Sequence, residues 1–154
     1  MLNDRRSFLK TAGSSALFAS LGSSFFTSCY EKEDDLTQIN SIWENGYNIY
    51  NNIIKIDLKH YNFKILNNQG GWKRFDEGGL LIVNVGSDII RAFTSICPHA
   101  QCSTSWEFKN DNFICTCHNA IFKNDGSIVS GPAKEDLKSF ATKLEDNILT
   151  ITKD

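Results

Sequence analysis

The sequence lacks a basic excess, an internal repeat and, after residue 35, any low-complexity block. Its 154 residues include 16 Lys and Arg against 18 Asp and Glu, a formal net charge of -2. Nucleic-acid-binding proteins normally show a basic patch and a high pI, so nothing here suggests that class. The length allows one ordinary domain and excludes two sizeable ones. Hydrophobic residues at 41% and charged residues at 22% are normal for a soluble fold with a core.

Charged residues are also absent from position 11 to position 29. Just before this stretch, residues 3–10 read Asn-Asp-Arg-Arg-Ser-Phe-Leu-Lys, which closely resembles a twin-arginine export signal with Arg5 and Arg6 as the pair. The stretch ends in Phe-Thr-Ser-Cys at 26–29, which looks like a lipobox. We therefore predict a signal segment over 1–28, lipidation at Cys29, and a mature protein tethered in the periplasm or at the outer face of a membrane.

Two alternatives to this processing remain open. The uncharged stretch could stay as a membrane anchor, since a spanning helix needs roughly 17–25 residues, although its many Ser and Gly residues make it a poor span. It could also be cleaved without lipidation. A twin-arginine signal suits a protein that is exported already folded, with its cofactor inserted in the cytoplasm.

The rest of the chain divides by composition. Residues 30–40 are polar and acidic and 41–54 show no clear periodicity, so we assign 29–54 as a tether and an uncertain lead-in. From residue 55 to 154, short apolar or alternating runs are separated by turn signals, which predicts an all-β antiparallel sandwich or barrel. The predicted strands are 55–58, 61–66, 80–85, 89–96, 112–114, 121–122, 127–130, 140–144 and 148–152.

Four of the five cysteines lie in two short boxes. The first reads Cys97-Pro98-His99-Ala100-Gln101-Cys102 and the second reads Cys115-Thr116-Cys117-His118, with twelve residues between them. Each box offers one cysteine and one histidine that can reach a common metal centre.

These boxes resemble the pattern of the Rieske iron–sulfur family, Cys-x-His-x-x-Cys followed by Cys-x-Cys-His. Residues 125–133 are similar to the family's Gly-x-x-x-x-Gly-Pro-Ala segment, which forms a third loop over the cluster. The resemblance covers about 55–154. It implies a Rieske-type β sandwich or barrel with a small cluster-binding subdomain at about 92–133, and one [2Fe–2S] cluster.

The resemblance also implies roles for individual residues. Cys97 and Cys115 would bind one iron of the cluster, and His99 and His118 would bind the other, which is the iron reduced in this family. Two neutral imidazoles in place of thiolates raise the potential to roughly -150 to +300 mV, against about -400 mV for plant-type ferredoxins. Cys102 and Cys117 would form a disulfide between the boxes, which suits an oxidising compartment and is typical of the membrane-bound Rieske class.

Other interpretations of the boxes explain less. A structural zinc site would use two cysteines and two histidines but leaves Cys102, Cys117 and the Gly-Pro-Ala segment unexplained. A c-type haem needs Cys-x-x-Cys-His, and the second box is one residue short. An oxygenase would need a further mononuclear iron site, for which His60 is the one remaining histidine. His60 is predicted to be structural or on the surface.

The second box departs from quinol-oxidising relatives, in which it continues as Gly-Ser-x-Tyr. Ala120 and Phe122 replace the Ser and Tyr whose hydroxyls donate to cluster sulfurs. Losing both donors should lower the potential by on the order of 50–130 mV. In the first box, Gln101 stands where Gly is usual, and Ala100 replaces a larger apolar residue, so docking to a quinol-binding cytochrome b is in doubt.

From these features we predict one-electron transfer by an exported, membrane-tethered Rieske protein. It would be a subunit or relay of a larger redox complex, as in cytochrome bc-type complexes or the small subunit of arsenite oxidase, and its partner would be a cytochrome or an oxidoreductase subunit. One alternative is a quinol-oxidising subunit of the cytochrome bc type. The other is a metal-stabilised binding module without electron transfer.

Overall fold

A computed structural model of the chain describes residues 44–154. The predicted signal segment, the predicted lipidation site Cys29 and most of the predicted tether lie outside the described residues. Among the residues described, no helix is both long and apolar enough to cross a membrane.

The described residues form two antiparallel sheets, which confirms the all-β prediction. The larger sheet has seven strands in the order β1-β2-β11-β10-β5-β4-β3, and the smaller has four in the order β6-β7-β8-β9. The strands are β1 Tyr47–Tyr50, β2 Ile53–Asp57, β3 Trp72–Phe75, β4 Leu80–Gly86, β5 Ile89–Thr94, β6 Trp106–Lys109, β7 Asn112–Cys115, β8 Ala120–Lys123, β9 Ile128–Ser130, β10 Ser139–Glu145 and β11 Ile148–Thr152, with a 3₁₀ helix at Lys64–Asn67.

The central strand β4 is buried on both faces, as its continuous apolar run predicts. Leu80 and Ile82 pack into a core formed within the larger sheet. Leu81 and Val83 point the opposite way, into a second core shared with the smaller sheet. The smaller sheet therefore packs on the back of β4 and carries the second box rigidly.

We call the end of the larger sheet at which the described chain enters the proximal end, and the opposite end the distal end. Ile148 of β11 pairs with Asp57 of β2, whose N–H donates to the Gly46 carbonyl oxygen at 2.8 Å, so the described chain enters at this proximal end. Ser139 of β10 pairs with Phe93, and β5 runs from the proximal end to finish at Thr94, at the distal end. The first box follows Thr94 directly, so the boxes emerge at the end opposite to the chain's entry.

The predicted strand over 61–66 is wrong. Turns and the 3₁₀ helix occupy this segment instead, because Phe63 and Leu66, three residues apart, both point into the core. The Asn67 side-chain amide donates to the Leu58 carbonyl oxygen at 2.7 Å and closes the segment locally. Three strands were not predicted, namely β1, β3 and β6, and the sheet begins at Tyr47, before the predicted domain start at 55.

Candidate metal centre

The first box is a closed loop that begins just after β5. The N–H of Cys97 donates to the Cys102 carbonyl oxygen at 2.8 Å, and the N–H of Gln101 donates to the Cys97 carbonyl oxygen at 2.9 Å. Gln101 has a φ of +57°, in the left-handed region that glycine adopts most easily. The Cys97 side chain is 1% exposed, whereas His99 is exposed. The loop therefore points its cysteine inward and its histidine outward.

The second box is a tight turn between β7 and β8. Cys115 ends β7 and pairs with Ala120, the first residue of β8, so the turn contains only residues 116–119. Asn119 has a φ of +56°, a conformation that asparagine tolerates better than most residues. Cys115 is 1% exposed and His118 is exposed, the same division as in the first box.

The structure places the sequence-predicted ligands in two pairs, with Cys97 and Cys115 in the second core and His99 beside His118. The side chains of Cys97 and Cys115 are both buried in that core, and the rings of His99 and His118 lie edge to face with centroids 4.7 Å apart. The two boxes thus present a buried pair of sulfurs and an exposed pair of imidazoles.

The Cys115 thiol has a pKa raised to about 11, first by burial and then by the neighbouring Cys97 thiol. Backbone N–H groups of Cys117 and His118 act in the opposite direction, because they stabilise a thiolate. A buried thiol of this kind is inert without a metal, and a bound cation would take the place of its proton. The donor set therefore fits a metal centre.

The disulfide between Cys102 and Cys117 is present, with the two Cα atoms 6.7 Å apart, and this prediction is confirmed. The sulfurs of Cys102, Cys115 and Cys117 also lie within 4.8 Å of one another, as a three-cysteine metal site would require. Two of those sulfurs are bonded to each other and cannot act as thiolates, so this trio is not a ligand set. Its closeness shows instead that the disulfide runs directly beside Cys115.

A third loop packs against the second box. Gly131 has a φ of +99°, and a Cβ built on it would lie 2.5 Å from the Asn119 carbonyl oxygen and 2.7 Å from the Ala120 Cα. No side chain fits there, so glycine allows the backbones to approach closely. Ala133 follows and is buried in the second core. The Gly-Pro-Ala segment thus covers the turn that carries His118.

Sequence reasoning missed two residues that support the boxes. The Trp106 indole N–H donates to the Ser95 carbonyl oxygen at 2.8 Å in a buried bond, and Trp106 pairs with Cys115 across β6 and β7. Arg74 of β3 donates to the Thr104 carbonyl oxygen and forms an ion pair with Asp76 at 2.8 Å. The alternation of apolar and polar residues over 106–109 was the available signal for β6.

Buried thiols and exposed imidazoles on two disulfide-linked loops are the donor types that an iron–sulfur protein of mixed cysteine and histidine ligation would need. The chain belongs to the Rieske [2Fe–2S] family, since the model of the Rieske [2Fe-2S] domain matches residues 59–141, more than half of the sequence. Membership of this family implies a [2Fe–2S] cluster, and the donor set described above fits that group.

Individual relatives agree with the family. The cytochrome b6-f complex iron-sulfur subunit of Chlorobaculum tepidum is 33% identical over 86 residues, covering 56% of this chain and 47% of that protein. The menaquinol:cytochrome c reductase iron-sulfur subunit of Bacillus subtilis is 31% identical over 99 residues, covering 62% of this chain and 59% of that protein. The chain thus spans about half the length of these relatives.

A similar solved structure is the plasma membrane Rieske protein PetC3 of the cyanobacterium Synechocystis PCC 6803. The two chains are 30% identical, with a TM-score of 0.46 over 53% of this chain and 84% of the other.

Proposed function

We propose that this chain transfers single electrons as an exported, membrane-tethered Rieske protein, serving as a subunit or relay of a larger redox complex. In this proposal Cys97 and Cys115 bind one iron, and His99 and His118 bind the other. The observation that carries it is the division of the four side chains, with two thiols 1% exposed in one core and two exposed imidazole rings 4.7 Å apart.

The burial of the two cysteines and the exposure of the two histidines suit electron transfer. When bound, the cluster supplies a one-electron couple whose potential is raised by imidazole ligation. Buried Cys97 and Cys115 keep water away from the sulfur side. Exposed His99 and His118 form the surface that a redox partner can approach, so electrons and any coupled proton would leave there.

Low-temperature EPR of the dithionite-reduced protein tests the ligand assignment. The parent and His60→Ala, which alters a histidine far from the boxes in sequence, should both give a Rieske-type signal. His99→Ala and His118→Ala should lose it. A protein without the signal that contains zinc would support the metal-stabilised binding module and contradict electron transfer.

Export and tethering are tested separately from the cluster. Lys replacement of both Arg5 and Arg6 should leave the protein in the cytoplasm, while Cys29→Ser should release it in soluble form outside the cytoplasm. Cys29→Ser protein that stays on the membrane would indicate an uncleaved anchor instead.

A quinol-oxidising subunit is the second candidate, because both relatives above carry names of quinol-oxidising or cytochrome complexes. Ala120 and Phe122 argue against it, since they lack the Ser and Tyr hydroxyls of the quinol-oxidising family pattern. Purification from native membranes distinguishes the two, since this candidate requires a b-type haem protein to co-purify with the chain.

A further inference from the structure

One stretch of the described chain combines positive charge with exposed apolar side chains. Residues 58–75 contain Lys59, Lys64, Lys73 and Arg74 and no Asp or Glu, in a protein whose net charge is -2. Arg74 is engaged by Asp76, and the Lys73 ammonium lies over the Phe63 ring, 5.4 Å from its centroid. Lys59 and Lys64 are exposed and form no ion pair within residues 44–154.

Two large exposed side chains lie close to these lysines in the sequence, one between them and one directly after Lys64. Tyr61 is 78% exposed and Ile65 is 51% exposed, because Phe63 and Leu66 take the inward positions of the turn and the 3₁₀ helix. We call Lys59, Tyr61, Lys64 and Ile65 the Tyr61 patch. A tyrosine, an aliphatic side chain and flanking lysines are the residue types that favour a membrane–water interface.

The patch lies where the described chain enters the domain. Its neighbours His60 and Asn62 both touch the entering backbone. A Cβ on Gly46 would lie 2.5 Å from the His60 ring, and the Asn62 amide donates to the Asn45 carbonyl oxygen at 3.3 Å. This is the proximal end of the larger sheet, opposite to the two boxes.

We infer that the Tyr61 patch rests on an anionic bilayer surface and thereby directs the boxes away from the membrane. The inference deepens the proposed function and rests on its tethering at Cys29. Fourteen residues, 30–43, separate that cysteine from the described domain, so the entry of the chain stays within about 50 Å of the lipid, and the patch lies at that entry. Anionic headgroups complement Lys59 and Lys64, and the interface takes up Tyr61 and Ile65.

The consequence concerns the partner. Because the boxes lie at the distal end, His99 and His118 would meet a redox partner that extends out from the bilayer. The boxes would reach an electron-donor site at the level of the lipid headgroups only after the Tyr61 patch had detached from the membrane.

The chain offers a matched control in a second exposed pair. Tyr50 is 68% exposed and Ile53 is 38% exposed, and they face each other across β1 and β2. They lie four residues along β2 from Asp57, toward the distal end. Tyr50→Trp and Tyr61→Trp therefore place the same probe at two different heights.

The experiment uses the full chain, cluster-loaded and reconstituted in vesicles of phosphatidylcholine and phosphatidylglycerol that contain brominated lipid. Fluorescence of the parent is subtracted to isolate the added tryptophan. The tryptophan at position 61 should be quenched about twofold or more relative to vesicles without bromine, and the one at position 50 should not. Replacing Lys59 and Lys64 by Gln should weaken the quenching at 61, since each lysine changes surface affinity by about fivefold.

Each outcome has a distinct meaning. Equal quenching at both positions, or none at 61 in protein that floats with the vesicles, overturns the inference while tethering stands. Protein that does not float with the vesicles overturns tethering and the inference together. Loss of the EPR signal bears on the proposed function alone. If the probe at 61 is blue-shifted without vesicles and is not quenched in them, the acidic residues of 30–40 or another part of the protein cover the patch, and the inference fails.

Discussion

The missing hydroxyls near the second box can be restored one at a time and together. Ala120 and Phe122 are both fully buried, so water does not stand in for the absent donors. Backbone N–H groups of Cys117 and His118 already stabilise the Cys115 sulfur as a thiolate. Ala120→Ser and Phe122→Tyr would therefore add to an existing set of donors.

The expected size follows from hydrogen-bond energetics. A neutral hydrogen bond contributes about 0.5–1.5 kcal/mol, and donors to sulfur favour the electron-rich reduced cluster. At about 23 kcal/mol per volt for one electron, the double variant should raise the midpoint potential by on the order of 50–130 mV. Each single variant should give roughly half of that shift.

Protein-film voltammetry measures the midpoint, and EPR checks that the cluster is intact. Phe140→Tyr is the control, because it makes the same chemical change in β10 of the larger sheet, outside the loops that carry the boxes. Its midpoint should equal that of the parent. An unchanged midpoint in the double variant, with an intact cluster signal, would refute the reasoning that these hydroxyls set the potential.

Three further predictions concern the stability of the boxes. Gln101→Gly should raise the free energy of unfolding by about 0.5–1 kcal/mol, because it relieves a φ of +57°; thermal melts check this. Replacing Cys102 and Cys117 by Ser should lower it by about 3 kcal/mol, given their sequence separation of 15, as measured by urea unfolding. Trp106→Phe should lower it by about 1–3 kcal/mol, because the Ser95 carbonyl oxygen loses its buried donor.

Controls separate these effects from general damage. Asn119→Gly changes the other left-handed position, where asparagine is already tolerated, and should change the melting temperature less than Gln101→Gly. Trp72→Phe alters another tryptophan, which packs on Phe113 and forms no side-chain hydrogen bond within residues 44–154. This change should lower the free energy of unfolding less than Trp106→Phe does. The opposite order in either pair would contradict the corresponding argument.

Much of the candidate site was predictable because its chemistry depends on residue identity at short spacing. Each box joins a cysteine and a histidine within a few residues, and the structure buries both cysteines in one core and sets the two histidines side by side. The Cys102–Cys117 pairing followed from the family resemblance and not from geometry. Support from Trp106 and Arg74 was not predictable, since both act on backbone carbonyl oxygens, which have no sequence signature.

The fold was predictable where turns are encoded locally. Ser87-Asp88 and Asp146-Asn147 all have positive φ, as two-residue hairpin turns require, and the strands around them were predicted closely. The prediction of a strand over 61–66 failed because the apolar residues of this segment suit a strand by composition. Tertiary packing of Phe63 and Leu66 selects turns and a 3₁₀ helix instead. Strands β1, β3 and β6 are each four residues long, so even the brief alternation at β6 was not taken as a strand, whereas β7 and β8, equally short, were predicted because they flank the second box.

Two features of the chain restrict which partner can exchange electrons with it. Without hydroxyls at Ala120 and Phe122, the expected midpoint potential is lower, which makes oxidation of a quinol harder. With the Tyr61 patch on the bilayer, His99 and His118 would face away from the lipid. A low midpoint with a mobile domain would still allow a low-potential quinol as donor, since the boxes could swing to the membrane. A low midpoint together with quenching confined to position 61 would indicate a partner that contacts the boxes above the bilayer. Both quantities should therefore be measured on the same reconstituted protein.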